Sequence, residues 1–233
     1  MNEDKRFCYR YPHPAVTTDN VIFGFDGEAL NVLLIQRGME PYRERWAFPG
    51  GFLNMDETAE EGAARELKEE TGVEDVYLEQ LRAFSTVDRD PRERVITIAY
   101  YALVRQKDYH VIGADDAADA RWFMLKDLPP LAFDHEYILK MAVKRLKERI
   151  YFEPIGFRLL DEKFTIDELQ HLYELILEEK FDSDDFLKKM LSLKIITPLS
   201  EKAEGSSSEA TQLYSFDEEN YKRLKGKGIR LEF

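Results

Sequence analysis

The chain has 233 residues, of which 44% are hydrophobic, enough to bury the core of one large domain or two modest ones. Its formal net charge of −13 argues against sequence-independent affinity for nucleic acid or for an anionic membrane. The one cysteine, Cys8, allows no intramolecular disulfide, and neither a signal-peptide core nor a membrane-spanning apolar run is present, so we expect a cytoplasmic protein without a membrane partner.

The first predicted elements are two strands joined by a tight turn. Residues 15–25 are rich in β-branched and aromatic side chains, Asp26-Gly27 is a turn signal, and 29–37 is the predicted partner strand. The segment 46–51, WAFPGG, follows a loop. Its Pro-Gly-Gly sequence lets the backbone turn sharply and approach a ligand closely.

The strongest motif lies in residues 51–73, GFLNMDETAEEGAARELKEETGV. Most of it consists of strong helix formers, and Gly72 can end the helix. On that helix Glu66, Glu69 and Glu70 fall at i, i+3 and i+4, so the three carboxylates share one face and repel each other. A hard divalent cation would turn this repulsion into attraction. The alternative interpretation is a solvated acidic helix.

The pattern G-x5-E-x7-R-E-U-x-E-E-x-G-U, with U apolar, is matched at every fixed position and resembles the signature of the Nudix hydrolases. The resemblance implies an α/β/α sandwich with a mixed sheet and Mg²⁺- or Mn²⁺-dependent hydrolysis of a nucleoside diphosphate derivative. The implied metal ligands are Gly50, Gly51, Glu57, Glu66, Glu69 and Glu70. Arg65 is implied to orient the glutamates, and Glu66 or Glu69 to take the proton of the attacking water.

The loop 88–94 carries Arg89, Arg92 and Arg94. It lies between two predicted strands, at 76–87 and 95–104. Three arginines in a short loop can clamp a diphosphate bidentately, whereas a solvated hairpin loop is the alternative. Together with the strand after it, the loop resembles the ADP-ribose pyrophosphatase-type branch of the family, which implies substrate binding by these three residues.

An acidic loop containing Asp115, Asp116 and Asp119 precedes the next predicted strand. Many Nudix proteins place an extra carboxylate for metal or base work here, so Asp116 is a catalytic candidate beside its two neighbours. Ordinary surface acids are the alternative. The amphipathic helix predicted over 134–150 closes the first domain, and His135 at its start is interpreted as a structural or surface histidine.

Residues 151–233 are predicted to form a second domain, which leaves 1–150 as the Nudix domain. Thr165 and Glu168 fit a capping box at the start of one helix, Asp182 can cap a shorter one, and two short strands flank the polar loop EKAEGSSSEA. This order of helix, turn, helix, strand, loop and strand is that of a small α+β winged-helix domain. With the Nudix box, it resembles the Nudix-related transcriptional regulators of bacteria.

The two resemblances imply different functions. We expect an enzyme that cleaves ADP-ribose to AMP and ribose 5-phosphate, with a regulator that senses ADP-ribose or a sugar metabolite and binds DNA as the alternative. Residues 151–233 carry 12 Lys+Arg against 18 Asp+Glu, a net charge of −6, and the second helix offers only Lys188 and Lys189 in its first turns. DNA is therefore not the favoured partner. A homodimer is expected, because both resemblances imply one.

Overall fold

The computed structural model describes residues 9–111, 117–203 and 211–225. The strands are β1 Ala15–Phe25, β2 Leu30–Arg37, β3 Trp46–Ala47, β4 Glu79–Phe84, β5 Val95–Arg105, β6 Ala117–Met124, β7 Phe164–Thr165, β8 Ile196–Ala203 and β9 Thr211–Phe216. The helices are α1 Ala59–Thr71, α2 His135–Ile150, α3 Ile166–Leu177, α4 Ser183–Leu193 and α5 Glu218–Lys225. Within the described ranges, no helix has the length and apolar character needed to cross a bilayer.

Six strands form a mixed sheet in which β1 and β5 are parallel and the other pairs antiparallel. Side chains alternate between its two faces, as the pleat requires. Ile22 and Leu33 join the apolar cluster of Leu67 on α1, whereas Phe23 joins the larger cluster that contains Ile138 of α2. The sheet is thus covered by one helix on each face, which confirms the predicted α/β/α sandwich.

The segment 46–52 fills the space where β1 and β2 diverge. β3 pairs with the end of β2, and the Thr18 N–H of β1 donates to the Gly51 carbonyl at 2.9 Å. A Cβ on Gly50 would lie 2.0 Å from the carbonyl oxygen of Thr18, so this approach of two backbones requires glycine. The glycine pair is therefore held rigidly against the middle of the sheet.

The box helix α1 ends at Gly72, as the sequence predicts. Thr58 and Glu61 form a capping box at its start, and Gly72 ends it in the left-handed conformation at φ 72°. Ala63 and Leu67 are buried against the sheet. Because these apolar residues fix the rotation of the helix, its glutamate face is directed to the glycine pair.

The second unit has the winged-helix order. β7, β9 and β8 form a three-stranded antiparallel sheet beside α3 and α4. The Thr165–Glu168 capping box is present, and the Asp182 side chain accepts from two backbone N–H groups of α4. The predicted winged-helix-like domain is confirmed.

Two strands differ in length from the prediction. β8 extends beyond the predicted strand 195–197 as far as Ala203, where pairing of Lys202 and Ala203 with β9 rather than hydrophobicity determines the strand. β4 is shorter than the predicted 76–87, because Val76 and Leu78 pack in the α1-side cluster without belonging to the sheet ladder. In both places the residues that are buried are not the residues that pair in the sheet. The hydrophobic pattern of the sequence indicates burial alone, so it misplaced the strand ends.

The two units share one hydrophobic core. The fully buried residues Ile138, Leu146 and Ile150 of α2 lie in the same apolar cluster as Leu169 and Leu172 of α3. The helix that closes the first unit is therefore also the floor of the second. The domain boundary between residues 150 and 151 stays a prediction.

Candidate ligand and metal site

A cavity of about 840 Å³ opens where the glycine pair, the glutamate face of α1 and the loop 88–94 meet. Its charged lining comprises Asp19, Glu66, Glu69, Glu70, Asp90, Arg37, Arg65, Arg89 and Arg92. A volume of this size suits a small organic ligand, and a lining with both signs of charge suits a ligand that combines anionic groups with a cation.

Arg65 organises the carboxylates of the box. Its guanidinium donates to Glu57 at 2.7 Å, to Glu66 at 2.8 Å and to Glu69 at 2.9 Å. The hydrogen bonds from Arg65 lower the pKa of Glu57 to about 2. Arg65 thus has the orienting contacts that the resemblance implied.

Glu70 and Glu66 are desolvated at the base of the cavity. The Glu70 carboxylate accepts the Gly50 N–H at 2.7 Å, and burial raises its pKa to about 8. Burial also raises the pKa of Glu66. Its carboxylate lies close to Gly51, since a Cβ on Gly51 would be 2.5 Å from the Glu66 Oε1. The raised pKa values of Glu66 and Glu70, beside the glycine backbone, indicate a place where negative charge lacks a counter-ion.

Oxygen donors of this kind fit Mg²⁺ or Mn²⁺, since both cations prefer carboxylates, carbonyls and water. In the parts of the chain that are described, however, no three acidic, histidine or cysteine side chains converge as ligands, because Arg65 holds Glu66 and Glu69. The metal set therefore stays a prediction. Glu57 does not line the cavity, and its contacts favour the pairing with Arg65.

Arg89 lines the cavity but is already bound. Its side chain is 3% exposed, and it donates to both carboxylate oxygens of Asp134, at 2.7 and 3.1 Å. A longer bond of 3.5 Å reaches Asp19 on β1. Arg89 therefore ties the loop 88–94 to a strand and to the start of α2.

The other two predicted arginines differ from each other. Arg92 lines the cavity, where it pairs with Asp90 at 2.7 Å and lies 5.0 Å from the centre of the Phe52 ring. Arg94 lies outside the lining and donates to backbone carbonyls, including that of Ser85 at 2.9 Å. Substrate binding stays a prediction for all three arginines, and the geometry supports it best for Arg92.

Arg37 is a cavity residue that sequence reasoning missed. It ends β2, its Nε–H donates to the Pro41 carbonyl at 2.8 Å, and its guanidinium lies 4.7 Å from the centre of the Phe133 ring. No carboxylate of the described residues lies within ion-pair distance of it. Burial and the nearby charge of Arg92 lower the pKa of Arg37. An uncompensated guanidinium facing a cavity favours an anionic ligand.

His135 is buried between the cavity and the sheet. The Phe48 N–H donates to its Nδ1 at 3.0 Å, so Nε2 carries the proton of the neutral ring and lies 3.4 Å from Asp19. Burial lowers the pKa of His135, which favours this neutral form. The ring also stacks on Phe48. These contacts agree with the structural interpretation of His135 and add a position at the cavity wall.

The predicted acidic loop gives no placed base. Asp115 and the candidate Asp116 lie outside the described residues. Asp119 is described but pairs with Arg121 at 2.5 Å and does not line the cavity. The assignment of Asp116 therefore stays a prediction.

The exposed surface of α4 carries both signs of charge. Asp184 and Asp185 lie in its first turn, and Lys188 pairs with Asp185 at 3.2 Å. Lys189 has no carboxylate partner among the described residues. Phe186 packs inward. The lysines are thus presented on one short helix in spite of the acidic total of the domain.

Comparisons with known proteins cover both units. The family model described as NUDIX domain matches residues 13–142, and the model described as NrtR DNA-binding winged helix domain matches residues 156–216. The two matches follow the two sheets of the fold.

Three relatives are similar over one or both units. The "ADPR responsive transcriptional repressor NtrR" of Acinetobacter baylyi is 33% identical over 91% of this chain and 85% of its own. NrtR of Shewanella oneidensis, solved with a 27mer DNA, is 29% identical with a TM-score of 0.76 over 92% of this chain and 96% of its own. Its NUDIX domain, solved with ADP ribose, is 34% identical with a TM-score of 0.55, over 62% of this chain and 94% of that one. The ADP-ribose pyrophosphatase of Methanocaldococcus jannaschii is 42% identical over 56% of this chain and 73% of its own.

Proposed function

Because the chain belongs to the Nudix family and joins its Nudix domain to an NrtR-type winged helix, we propose that it is a DNA-binding regulator whose Nudix domain binds ADP-ribose. The observation that carries the proposal is similarity over both units to a repressor named for its response to ADPR. The pyrophosphatase relative matches 56% of this chain, too little to span both units, so it does not account for the whole architecture. This reverses the order in which the sequence ranked the two functions.

The charge distribution of the cavity supports the ligand. ADP-ribose carries an anionic diphosphate between two sugars, and planar guanidinium groups recognise phosphate bidentately. Arg37 and Arg92 both lie over Phe133, at 4.7 and 5.7 Å from its centre, and supply two cations on one side of the cavity. The glutamates of α1 supply the opposite charge on the other side.

The winged helix supports DNA as a partner, against the weight that the sequence analysis gave to the acidic total. Net charge sets long-range attraction, whereas contact with a DNA backbone needs only a few placed cations. Lys188 and Lys189 on α4 are such cations, of which Lys188 is exposed and Lys189 half-buried. The acidic total then predicts modest non-specific affinity.

Binding of selected DNA tests the regulator. Duplexes enriched from a random pool by the full chain would be labelled, and their affinity measured by fluorescence anisotropy with and without ADP-ribose, in EDTA to prevent turnover. We expect specific binding whose affinity changes on addition of ADP-ribose by a factor of about 5–150, the usual range of allosteric coupling. Failure to enrich any sequence at low salt would contradict the proposal.

A second function, hydrolysis of ADP-ribose, is favoured by one specific observation, the complete and ordered box. Arg65 aligns Glu66 and Glu69 toward the cavity, and these two with Glu70 and the Gly50 carbonyl would hold Mg²⁺ or Mn²⁺, since the Gly51 carbonyl accepts the Thr18 N–H. When bound, the cation would neutralise the diphosphate and make a water more acidic. Glu66 or Glu69 would accept the proton of that water.

Release of AMP tests the second function. ADP-ribose and a panel of other nucleoside diphosphate compounds would be incubated with the full chain and Mg²⁺ or Mn²⁺, with EDTA as the control. Chelator-sensitive release of AMP from one compound supports an enzyme as well as a regulator. Tight binding without turnover supports a sensor alone.

A further inference from the structure

Helix α2 connects the cavity to the winged helix. Its 16 residues span about 24 Å at the usual rise per residue. The residues just before and at its start brace the cavity, and its later turns lie in the core shared with α3. A shift at one end of a packed helix is felt at the other, because protein interiors are close-packed.

The cavity end of α2 is held by polar contacts. Phe133, which precedes the helix with φ 51°, lines the cavity. Asp134 accepts two bonds from Arg89, and His135 accepts the Phe48 N–H. The start of the helix is thus tied to the loop 88–94 and to the segment before the glycine pair.

The far end of α2 is held by packing. Its buried residues Ile138, Ala142, Leu146 and Ile150 form one stripe that enters the apolar cluster of α3. Lys147 adds an ion pair of 2.6 Å with Glu178, which ends α3. Any displacement of α2 therefore moves a helix of the winged unit.

A second connection between the sheet and α3 is weaker. The His171 Nε2–H of α3 donates to the carbonyl of Glu28, in the β1–β2 turn, at 2.8 Å. A cleft of about 430 Å³ opens beside this bond. The His171 ring also lies 6.4 Å from the Phe25 ring, but one hydrogen bond and one ring contact next to an open cleft can adjust without moving their neighbours, so this connection is a poor transmitter.

Resting on the proposed function, we propose that α2 carries ligand occupancy to the winged helix, with the Arg89–Asp134 pair as its release point. Arg89 is buried at the cavity wall, and Asp134 accepts from two of its three guanidinium nitrogens. An anionic ligand beside Arg89 competes with Asp134 for the guanidinium. The first turn of α2 is then freed, and the helix shifts against α3.

The test measures coupling in full-length variants, with ADP-ribose as ligand and EDTA present. Asp134→Asn keeps the size of the side chain and removes its charge, so Arg89 is held less strongly and is more available to an anionic ligand. We expect ADP-ribose to bind at least as tightly as to the wild type, whereas the ratio of DNA affinities with and without ADP-ribose falls at least about fivefold toward one. Isothermal titration gives the first quantity and anisotropy the second.

Three further variants separate the routes. Lys147→Ala should reduce the coupling ratio, because it removes the link to Glu178. Lys144→Ala is the matched control, since Lys144 lies on the same helix and, within the part of the chain that the structure describes, pairs with Glu148 alone. His171→Ala should leave the ratio unchanged if α2 is the route.

Full coupling in Asp134→Asn, or its loss in His171→Ala alone, would overturn the inference. If Asp134→Asn does not fold, hydrogen exchange of the wild type decides. ADP-ribose should change protection over 135–150 and 166–177, and a change at 26–30 without one over 135–150 would overturn the route. Specific DNA binding that ADP-ribose does not alter, in the wild type, would instead reject the proposed function.

Discussion

At the scale of single residues, Arg65 and Glu70 keep an acidic site stable by different means. Arg65 neutralises by charge, pairing with Glu57, Glu66 and Glu69. Glu70 forms no ion pair with the described residues and instead accepts the Gly50 N–H, and burial raises its pKa to about 8. In the ligand-free protein, Glu70 is therefore accommodated in its buried position by being protonated.

Stability should consequently depend on pH through Glu70. Its folded pKa of about 8 lies above its ordinary value of 4.5, so the folded protein holds this proton more tightly than the unfolded chain. The contribution is fully present below pH 4.5 and is lost as pH rises through about 8. Glu70→Gln keeps the acceptor for Gly50 without a charge, so in EDTA it should be more stable than the wild type at alkaline pH, by about 1–3 kcal/mol.

Urea denaturation between pH 5 and 9 measures this difference, and parallel curves for the two proteins would contradict it. Mg²⁺ provides a second readout. At pH 8 the cation should stabilise the wild type more than Glu70→Gln, because the charged carboxylate is its ligand. Equal stabilisation of both proteins would remove Glu70 from the metal set.

Sequence spacing found the glutamates because they are close along one helix, where i, i+3 and i+4 positions share a face. Arg37 and Asp19 were missed because they reach the cavity only through strand pairing. Arg89 was predicted as a ligand residue from its loop, yet the structure pairs it with Asp134, 45 positions away. The sequence shows which loop residues are charged, but it does not show which distant residue forms an ion pair with them.

Arg37 should matter more to ligand binding than Arg94. Arg37 faces the cavity without a carboxylate partner in the described chain, whereas Arg94 donates to backbone carbonyls outside it. Arg37→Ala should weaken ADP-ribose binding by roughly 10–100-fold, the loss expected for one charge-assisted contact. Isothermal titration in EDTA measures it.

Two controls accompany that measurement. Arg94→Ala should change the affinity little, and Arg82→Ala, on an exposed part of β4, removes the same charge far from the lining. Affinities for AMP, which has a phosphate, and adenosine, which has none, show whether Arg37 contacts the phosphate of the ligand. An equal loss for adenosine would mean that Arg37 acts through the fold and not through phosphate.

At the scale of elements, the segment 46–52 fills a gap in the sheet and forms part of the cavity wall. Its backbone is hydrogen-bonded to β1, and its glycine pair lies against the glutamates of α1. The sequence predicted a close approach here from Pro-Gly-Gly but not its partner, because Thr18 lies 32 positions before Gly50 and only the sheet brings them together.

The two glycines should therefore fail in different ways. A Cβ on Gly50 meets the Thr18 carbonyl at 2.0 Å, and backbone cannot move aside, so Gly50→Ala should cost roughly 1–3 kcal/mol of unfolding free energy or more. A Cβ on Gly51 meets the end of the Glu66 side chain, which can rotate. Gly51→Ala should keep most of its stability and lose metal-dependent effects. Chemical denaturation with and without Mg²⁺ checks both, and a Gly50→Ala protein as stable as the wild type would contradict the packing argument.

At the scale of the whole molecule, the net negative charge of the chain opposes the proposed binding of DNA. The net charge of −13 repels DNA at a distance, but salt screens that repulsion beyond a Debye length of about 8–10 Å. Contact then depends on local cations. The sequence total could not predict this, because it averages the exposed face of α4 with acids on other surfaces.

DNA affinity should accordingly rest on few phosphate contacts and fall when α4 loses its lysines. Replacing Lys188 and Lys189 by alanine should weaken binding to all duplexes alike and reduce the slope of log affinity against log salt by about 2, one for each lost contact. Lys144→Ala on α2 removes an exposed charge at a distance and should leave the slope unchanged. Anisotropy over a series of salt concentrations measures the slope. An unaltered slope in the double variant would place the phosphate contacts on another part of the winged helix, and the basic residues of α5, Lys222 and Arg223, would be the next to replace.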